Sequence, residues 1–556
     1  MIQHIKKQIK KFIRVRVDFD VSASEKEDFG HYSTNVAFKL APVLKKKPLE
    51  IAKEIESKVK SQKSKVFVGV EAVAPGFVNF WLKPEVLQNE LKEILKNKNK
   101  YGKLRPTTYG LRPQKINLEF VSANPTGPLT MANGRGGFYG DVLANVLENA
   151  GHKVTREYYV NDAGNQIRLL GESIRAEMGL SEKTQEHYKG TYIKDYVAYI
   201  KDTLKKIKHG KYYRLALVRG IQAEFKDGKM MILKADPNDI GKIAQGIILP
   251  KIVKEIKNSL KKAGIKHDVW FSEDRNLHKK GELKKTLEFL KKKGLVEEKD
   301  GALWLGGGVL IKSDGNPTYF LADLAYHYDK FFKRKFDLAI DIWGADHHGY
   351  AQRMQEGIKA LGIKSERLKI LITQLVRLVS GGKEVRMSKR KGEFVTLDEL
   401  LKEVGGDASR FFFLMHSLDT HMDFDLDLAK ERSQKNPVYY AQYAYVRALN
   451  ILNKTTKRQQ ITIDLQLLNS DSEIKLMLEL VKLPDVLAKT AEDYQVHRLT
   501  RYATELAKAF HNFYEKERVV GSGGDVEKAR LYLVLTMKIV LENLFDILGI
   551  SKPKKM

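Results

Sequence analysis

A chain of 556 residues is too long for one hydrophobic core and is expected to divide into about three or four domains. Its 43% hydrophobic and 30% charged residues describe a globular protein, and 98 Lys and Arg against 69 Asp and Glu give a net charge of +29 that suits a polyanionic partner. The absence of cysteine excludes disulfides, thiolate zinc sites, iron–sulfur clusters and a cysteine nucleophile.

The chain opens on MIQHIKKQIKKFIRVRV, where Ile2, Ile5, Ile9 and Phe12 fall on one helical face. VFVGVEAVAPGFVNFWL follows as short strands joined by a Pro-Gly turn, and the Lys-rich KNKNKYGKLRP reads as a linker. KINLEFVSA then reads as a buried strand and NPTGPL as a turn. A helix follows, with Phe138, Val142, Val146 and Leu147 on one face and Gly151 at its end, and VTREYYV is the next strand. Strand, helix and strand in this order predict a parallel crossover, the unit of a nucleotide-binding sheet. The pattern resumes at FDLAIDIWGADHH and LKILITQL, with residues 179–299 between the two halves as a mostly helical, basic insertion. From about Ala408 the chain reads as helical to its end. The last apolar stretch is interrupted by Lys538, Glu542 and Asp546, so no run is suited to cross a bilayer, and the basic start lacks a signal peptide's apolar centre. A soluble, cytoplasmic protein is expected, with no membrane partner.

Three segments carry chemistry. The turn from Asn124 to Arg135 precedes a helix, and Gly127 and Gly134 would let an anion approach backbone amides. RMSKRKGEF sets Arg386, Lys389, Arg390 and Lys391 beside Ser388 on a loop able to clamp a triphosphate. WGADHHGY ends a predicted strand, where ligands gather in open α/β sheets. Its Asp346, His347 and His348 could suggest a metal, but adjacent histidines face different ways, and no metal ligands are assigned.

Together with REYYVNDAGNQ, DGALWL, PTYFLADLAYHYDKF and DFDLDLAKERSQKNPVYYAQYA, these segments resemble the class I arginyl-tRNA synthetases in order and over nearly the whole chain. DFGHYSTNVAFKLA is similar to the family's N-terminal module and LFDILGISKPKKM to its C-terminal ending. The resemblance implies a Rossmann-like parallel-sheet catalytic domain at 106–407, with the insertion at 179–299 and a signature loop at 386–390. It also implies an α/β accessory domain at 1–105 that contacts tRNA, and an all-α anticodon-binding bundle at 408–556. The implied activity is arginine–tRNA ligation: ATP with Mg2+ activates arginine to arginyl-adenylate, which is transferred to the terminal adenosine of tRNA(Arg), and activation generally requires bound tRNA. A monomer is expected.

The resemblance also assigns residues. The His-Ile-Gly-His signature falls on Thr130, Met131, Ala132 and Asn133, so both histidines are replaced. Thr130 and Asn133 are expected to donate to phosphate in their place, with Lys389 of the second signature, Arg386–Arg390, as the third catalytic group. The implied ATP contacts are Asn124, Pro125, Thr126, Gly127, Thr130, Asn133, Gly134, Gly344, Asp346, His348, Met387, Ser388 and Lys389. Arginine is expected at Glu119, Ser122, Asn124, Tyr319 and Asp323, since carboxylates match a planar five-donor guanidinium and Tyr319 and Asp323 lie one helical turn apart. Tyr439, Tyr440 and Tyr443 are candidates for stacking on unpaired tRNA bases. The rival readings are a synthetase-like RNA-binding protein without catalysis and another nucleotidyl transferase on the same sheet architecture.

Overall fold

The computed structural model describes residues 1–556 except 14, 16, 25–26, 62–63, 105–111, 180, 189, 208–220, 227–228, 236–243, 386–394 and 455–462. The chain forms two compact units. One comprises Gln114–Ala144 and His152–Glu431; the other comprises Met1–Pro113, Asn145–Gly151 and Arg432–Met556.

The first of these is built on five parallel strands: β1 (Lys115–Glu119), β2 (Lys153–Val160), β3 (Val269–Ser272), β4 (Leu338–Gly344) and β5 (Leu368–Thr373). Their order across the sheet is β5-β4-β1-β2-β3, with every neighbouring pair parallel. The inner strands β1 and β4 are buried along almost their whole length, which is why KINLE and LAIDI read as continuous apolar runs rather than alternating ones. The order reverses between β1 and β4, and a crevice opens at the carboxyl ends of strands at such a point. Glu119 and Asp341 stand opposite each other there.

Helix α1 (Met131–Asn149) connects β1 to β2 and buries the predicted face of Phe138, Val142, Val146 and Leu147. Gly140 lets it lie on the sheet, since a Cβ there would sit 2.3 Å from the Phe120 ring. Two buried guanidiniums fasten its start. Arg135 donates to the carbonyls of Gln374, Ser417 and Thr420 at 3.0, 2.7 and 2.8 Å, and Arg410 pairs with Asp141 at 2.6 Å. The terminal nitrogens of both guanidiniums thereby find acceptors although the side chains are buried.

Two expectations need correction here. The segment 179–299 is not simply a helical insertion: it carries the hairpin Ile221–Lys226 and Lys229–Ala235, and its VWFS run is β3, the edge of the main sheet. Four residues among lysines are too few to show a period. Nor is the chain purely helical past Ala408. Met422–Asp425 pairs in parallel with Val376–Ser380, burying Met422 and Phe424 while Asp423 and Asp425 stay exposed, a period-two pattern hidden in an acidic stretch.

The other unit joins the N-terminal residues to the C-terminal helices. Four antiparallel strands run in the order Val21–Ala23, Tyr32–Thr34, Phe77–Leu82, Phe67–Val73. Helix Ile2–Phe12 buries Ile5, Ile9 and Phe12 as its spacing predicts. The helical part includes α5 (Pro437–Asn453), α6 (His497–Lys516) and α7 (Gly524–Leu548). The stretch expected to be a linker is packed instead: Tyr101 is buried, Asn543 donates to the carbonyls of Lys98 and Tyr101 at 2.9 and 3.0 Å, and Gly102 lies against Leu483 and Leu487. The amino terminus pairs with buried Asp485 at 3.1 Å. No described helix is long and apolar enough to cross a membrane.

Candidate active site

At the switch point the sheet delivers two carboxylates that water cannot solvate. Glu119 ends β1, Asp341 lies in β4, and both are buried. Between them stands Lys330, fully buried, with its ammonium 2.8 Å from each. Lys330 follows helix α2 (Tyr319–Tyr328), and His327, near the end of that helix, contacts Asp341 at 2.8 Å. Burial opposes the charge on Asp341, yet Lys330 and His327 outweigh it and hold the carboxyl down at about 2. For Glu119 burial wins over Lys330 and its carboxyl is raised. Two carboxylates share one lysine, and burial leaves Glu119 the less compensated of the two. A buried anion without a partner is costly, and a cationic ligand would remove that cost.

One turn earlier on α2 stands Asp323. Its Oδ2 accepts from the Tyr350 hydroxyl at 2.5 Å, and its surroundings push the carboxyl up to about 7, first by burial and also through Glu119 and Glu273. Tyr319, on the same face, is half exposed, beside Gly164. Sequence reasoning missed Glu273. It follows β3, is buried, receives His278 at 3.0 Å and is hydrogen-bonded by the partly buried Tyr159. The signal for it was an acidic residue directly after a strand, invisible while that strand was unread. Lys330 was missed too, though its position seven residues beyond Asp323 puts it on the same helical face.

The backbone between β1 and α1 is strained where it leaves the sheet: Val121 and Ser122 have φ of 70° and 37°. Ser122 uses its hydroxyl oxygen to accept the backbone N–H of Tyr159 at 3.0 Å, so it anchors the turn. The Asn124 side chain is exposed and meets that of Asn161 at 3.1 Å. Pro125 is buried, while Thr126 and Gly127 are partly exposed. A Cβ on Gly127 would touch the Tyr192 ring at 3.2 Å.

Thr130 is the N-cap of α1, and Asn133 occupies its third position. The Thr130 backbone N–H and hydroxyl both donate to Asn133 Oδ1, at 2.9 and 3.0 Å, and the Asn133 N–H returns to Thr130 Oγ1 at 3.4 Å. This is a reciprocal cap of the kind that satisfies orphan amides at a helix start. It corrects the expectation that both side chains point their donors at phosphate: the Thr130 proton is committed, and the Asn133 amide nitrogen is left as the side-chain donor. Gly134 is buried, and a Cβ there would sit 2.9 Å from the Leu397 side chain, so its small size serves packing. Met131 N–H donates to Val395, and the N–H of Leu397, which opens helix α4 (Leu397–Leu414), to Leu129, at 2.9 Å each, so the chain that follows 394 is tied to this turn. Arg386, Met387, Ser388, Lys389, Arg390 and Lys391 themselves lie outside the described residues.

Gly344 ends β4, and helix α3 (His348–Ala360) follows. Asp346 and His348 are exposed beyond the strand end; Asp346 pairs with His347 at 3.5 Å. In the other unit, Tyr439, Tyr440 and Tyr443 share the partly exposed side of α5. Tyr439 and Tyr443 stack at 6.3 Å, Tyr440 lies against His511, and Arg447 covers Tyr443 at 4.7 Å. A cavity of 680 Å³ beside them is lined by Tyr443, Arg447, Tyr514 and Arg518 among others.

Comparison with known proteins gives these features a common source. Residues 90–413 match the family model of the tRNA synthetases class I (R) catalytic domain, 1–82 the arginyl tRNA synthetase N terminal domain, and 441–556 the DALR anticodon binding domain. The chain is 42% identical to the arginine–tRNA ligase of Carboxydothermus hydrogenoformans, over 97% of this chain and 94% of that one. It is 40% identical to that of Thermotoga maritima, over 100% and 99%. Its fold matches Thermus thermophilus arginyl-tRNA synthetase with a TM-score of 0.77 at 21% identity, covering 100% of both. The chain belongs to the class I arginyl-tRNA synthetase family.

Proposed function

We propose that the chain joins arginine to tRNA(Arg) at the β1/β4 switch point, consuming ATP and releasing AMP and pyrophosphate. The observation that carries the residue assignment is three acids brought to one place, buried Glu119 and Glu273 and half-buried Asp323, whose carboxyl is raised by burial and by the other two. Arginine brings two positive groups. Glu119 and Asn124, next in sequence to the nucleotide turn, take the α-ammonium, because the reacting carboxyl must lie near ATP. Asp323, Glu273 and Tyr319 take the guanidinium, whose planar donors suit two carboxylates and a hydroxyl.

In the first step the arginine carboxylate attacks the α-phosphorus of ATP and pyrophosphate leaves. In the second, a ribose hydroxyl of the terminal adenosine attacks the adenylate carbonyl and AMP leaves. Catalysis of such substitutions is mostly positioning and charge stabilisation. The Asn133 amide nitrogen and the backbone amides of the 124–134 turn supply donors to the phosphates, with Thr130 holding Asn133 in place. Lys389, with Met387 and Ser388, closes over the departing pyrophosphate. Gly344, Asp346 and His348 border the nucleoside. Magnesium bound to the nucleotide would supply charge neutralisation on pyrophosphate, as suits an ion that keeps waters and takes few protein ligands. Tyr439, Tyr440 and Tyr443 stack on unpaired bases of the tRNA.

The test is arginine-dependent ATP–pyrophosphate exchange with tRNA present. Exchange by the unmodified protein and its loss in Asp323→Ala are expected. Undiminished exchange in the variant would sink the pocket assignment.

A further inference from the structure

Asp323 does not stand alone in the pocket: the tyrosine that ends the WGADHHGY segment, absent from the proposed ligand set, holds one of its two oxygens. Tyr350, in the first turn of α3, donates its hydroxyl to Asp323 Oδ2 at 2.5 Å. Its ring is fixed by aromatic neighbours. Trp343 lies 5.7 Å away, Phe320 meets it edge-on at 6.2 Å, His347 stands at 6.4 Å and the Arg353 guanidinium at 6.0 Å. Two of these, Trp343 and His347, flank the β4 turn, and Phe320 sits on α2 beside Tyr319. A side chain so enclosed has little rotamer freedom to lose, and the hydrogen bond it makes costs little ordering entropy.

We infer that Tyr350 is a positioning residue for arginine recognition, pinning Asp323 through Oδ2 so that Oδ1 is presented to the guanidinium. The inference rests on the proposed role of Asp323. Two physical consequences follow. The carboxylate cannot rotate to offer both oxygens, so the guanidinium fork is completed by a second acid, and Glu273 is the buried carboxylate that acts on the same group. The tyrosine also stabilises the charged form of Asp323. The groups that face this carboxyl are Tyr350 from α3, His327 from its own helix, Glu119 from β1 and Glu273 after β3; the acids and burial raise it, while Tyr350 and His327 lower it. Removing the tyrosine hydroxyl moves the carboxyl further up, above about 7, so that more of it is protonated near neutral pH.

The experiment compares Tyr350→Phe with the unmodified protein and with Asp323→Ala, measuring arginine KM, ATP KM and kcat in pyrophosphate exchange from pH 6 to 9. Tyr350→Phe is expected to raise arginine KM about tenfold near neutral pH, the usual cost of one hydrogen bond to a charged group. ATP KM should stay constant, and the defect should shrink as pH rises and Asp323 ionises again. A purely structural role would not move the pH profile. Thermal unfolding and Tyr350→Leu, which removes hydroxyl and ring together, separate misfolding from lost positioning: folded Leu protein should show at least the Phe defect. Loss of activity in Asp323→Ala with an unchanged arginine KM and pH profile in a folded Tyr350→Phe overturns the tyrosine's role alone. Normal behaviour of both variants overturns the reading of Asp323 itself, and the tyrosine's role with it.

Discussion

The proposed arginine side and the proposed nucleotide side of the pocket are built on opposite principles. The arginine side is dominated by ionisable groups: Glu119, Lys330 and Asp341 form a buried charge cluster, and Asp323 is held by Tyr350. On the nucleotide side, the positions where the family carries histidines hold Thr130 and Asn133, which satisfy each other in a neutral helix cap. The difference shows where selection by charge is needed. Discriminating arginine requires buried anions, whose cost is recovered only by a matching cation. Binding triphosphate can draw on backbone amides and a helix start, so an uncharged amide suffices there.

Substitutions should expose this asymmetry. Asp323→Ala should lower arginine kcat/KM by about a thousandfold or more, since it unbalances a buried charged site; steady-state exchange kinetics will show it. Asn133→Ala removes one preorganised donor and should lower kcat by about a hundredfold with arginine KM nearly constant. Equal losses of arginine affinity in both variants would erase the division between the two sides. Glu273→Gln keeps shape and removes charge, and should cost about thirtyfold in arginine kcat/KM. Acid should act on one side only. With Asp323 raised to about 7, the charged form that binds arginine is present above that value, so arginine kcat/KM should fall up to tenfold per unit as pH drops below it, while ATP affinity changes little. Thr130→Val should have the smallest effect, about 1 kcal/mol of stability from the lost cap, visible as a lower melting temperature, with Thr130→Ser restoring it.

Much of this architecture was legible in the residues. Phe138, Val142, Val146 and Leu147 announced the helix that crosses from β1 to β2, and the apolar runs of β1 and β4 announced inner parallel strands. The order of motifs singled out Glu119, which is buried at the end of β1, and Tyr319 and Asp323, which lie on one helix. What stayed hidden was set by distance along the chain. Lys330 meets Glu119 across 211 residues, and Tyr350 meets Asp323 across 27, contacts that no local period encodes. Glu273 was hidden because the strand before it is only four residues long. The Thr130–Asn133 cap was hidden differently: Thr and Asn three apart read equally well as phosphate donors or as a capping pair, and only geometry shows where their hydrogens go. Tyr101 looked like part of a linker because its neighbours are lysines, yet it is buried beneath α7 residues of the same unit.

The central claim is that an arginine-specific, charge-built pocket works beside a nucleotide turn without histidines. Charging of total tRNA with labelled arginine, ATP and magnesium by the purified protein tests it directly. Ester formed on tRNA with arginine, and not with lysine or citrulline, is the predicted result. A folded protein that binds tRNA tightly and forms no arginyl ester would contradict it and leave an RNA-binding relative that has lost catalysis.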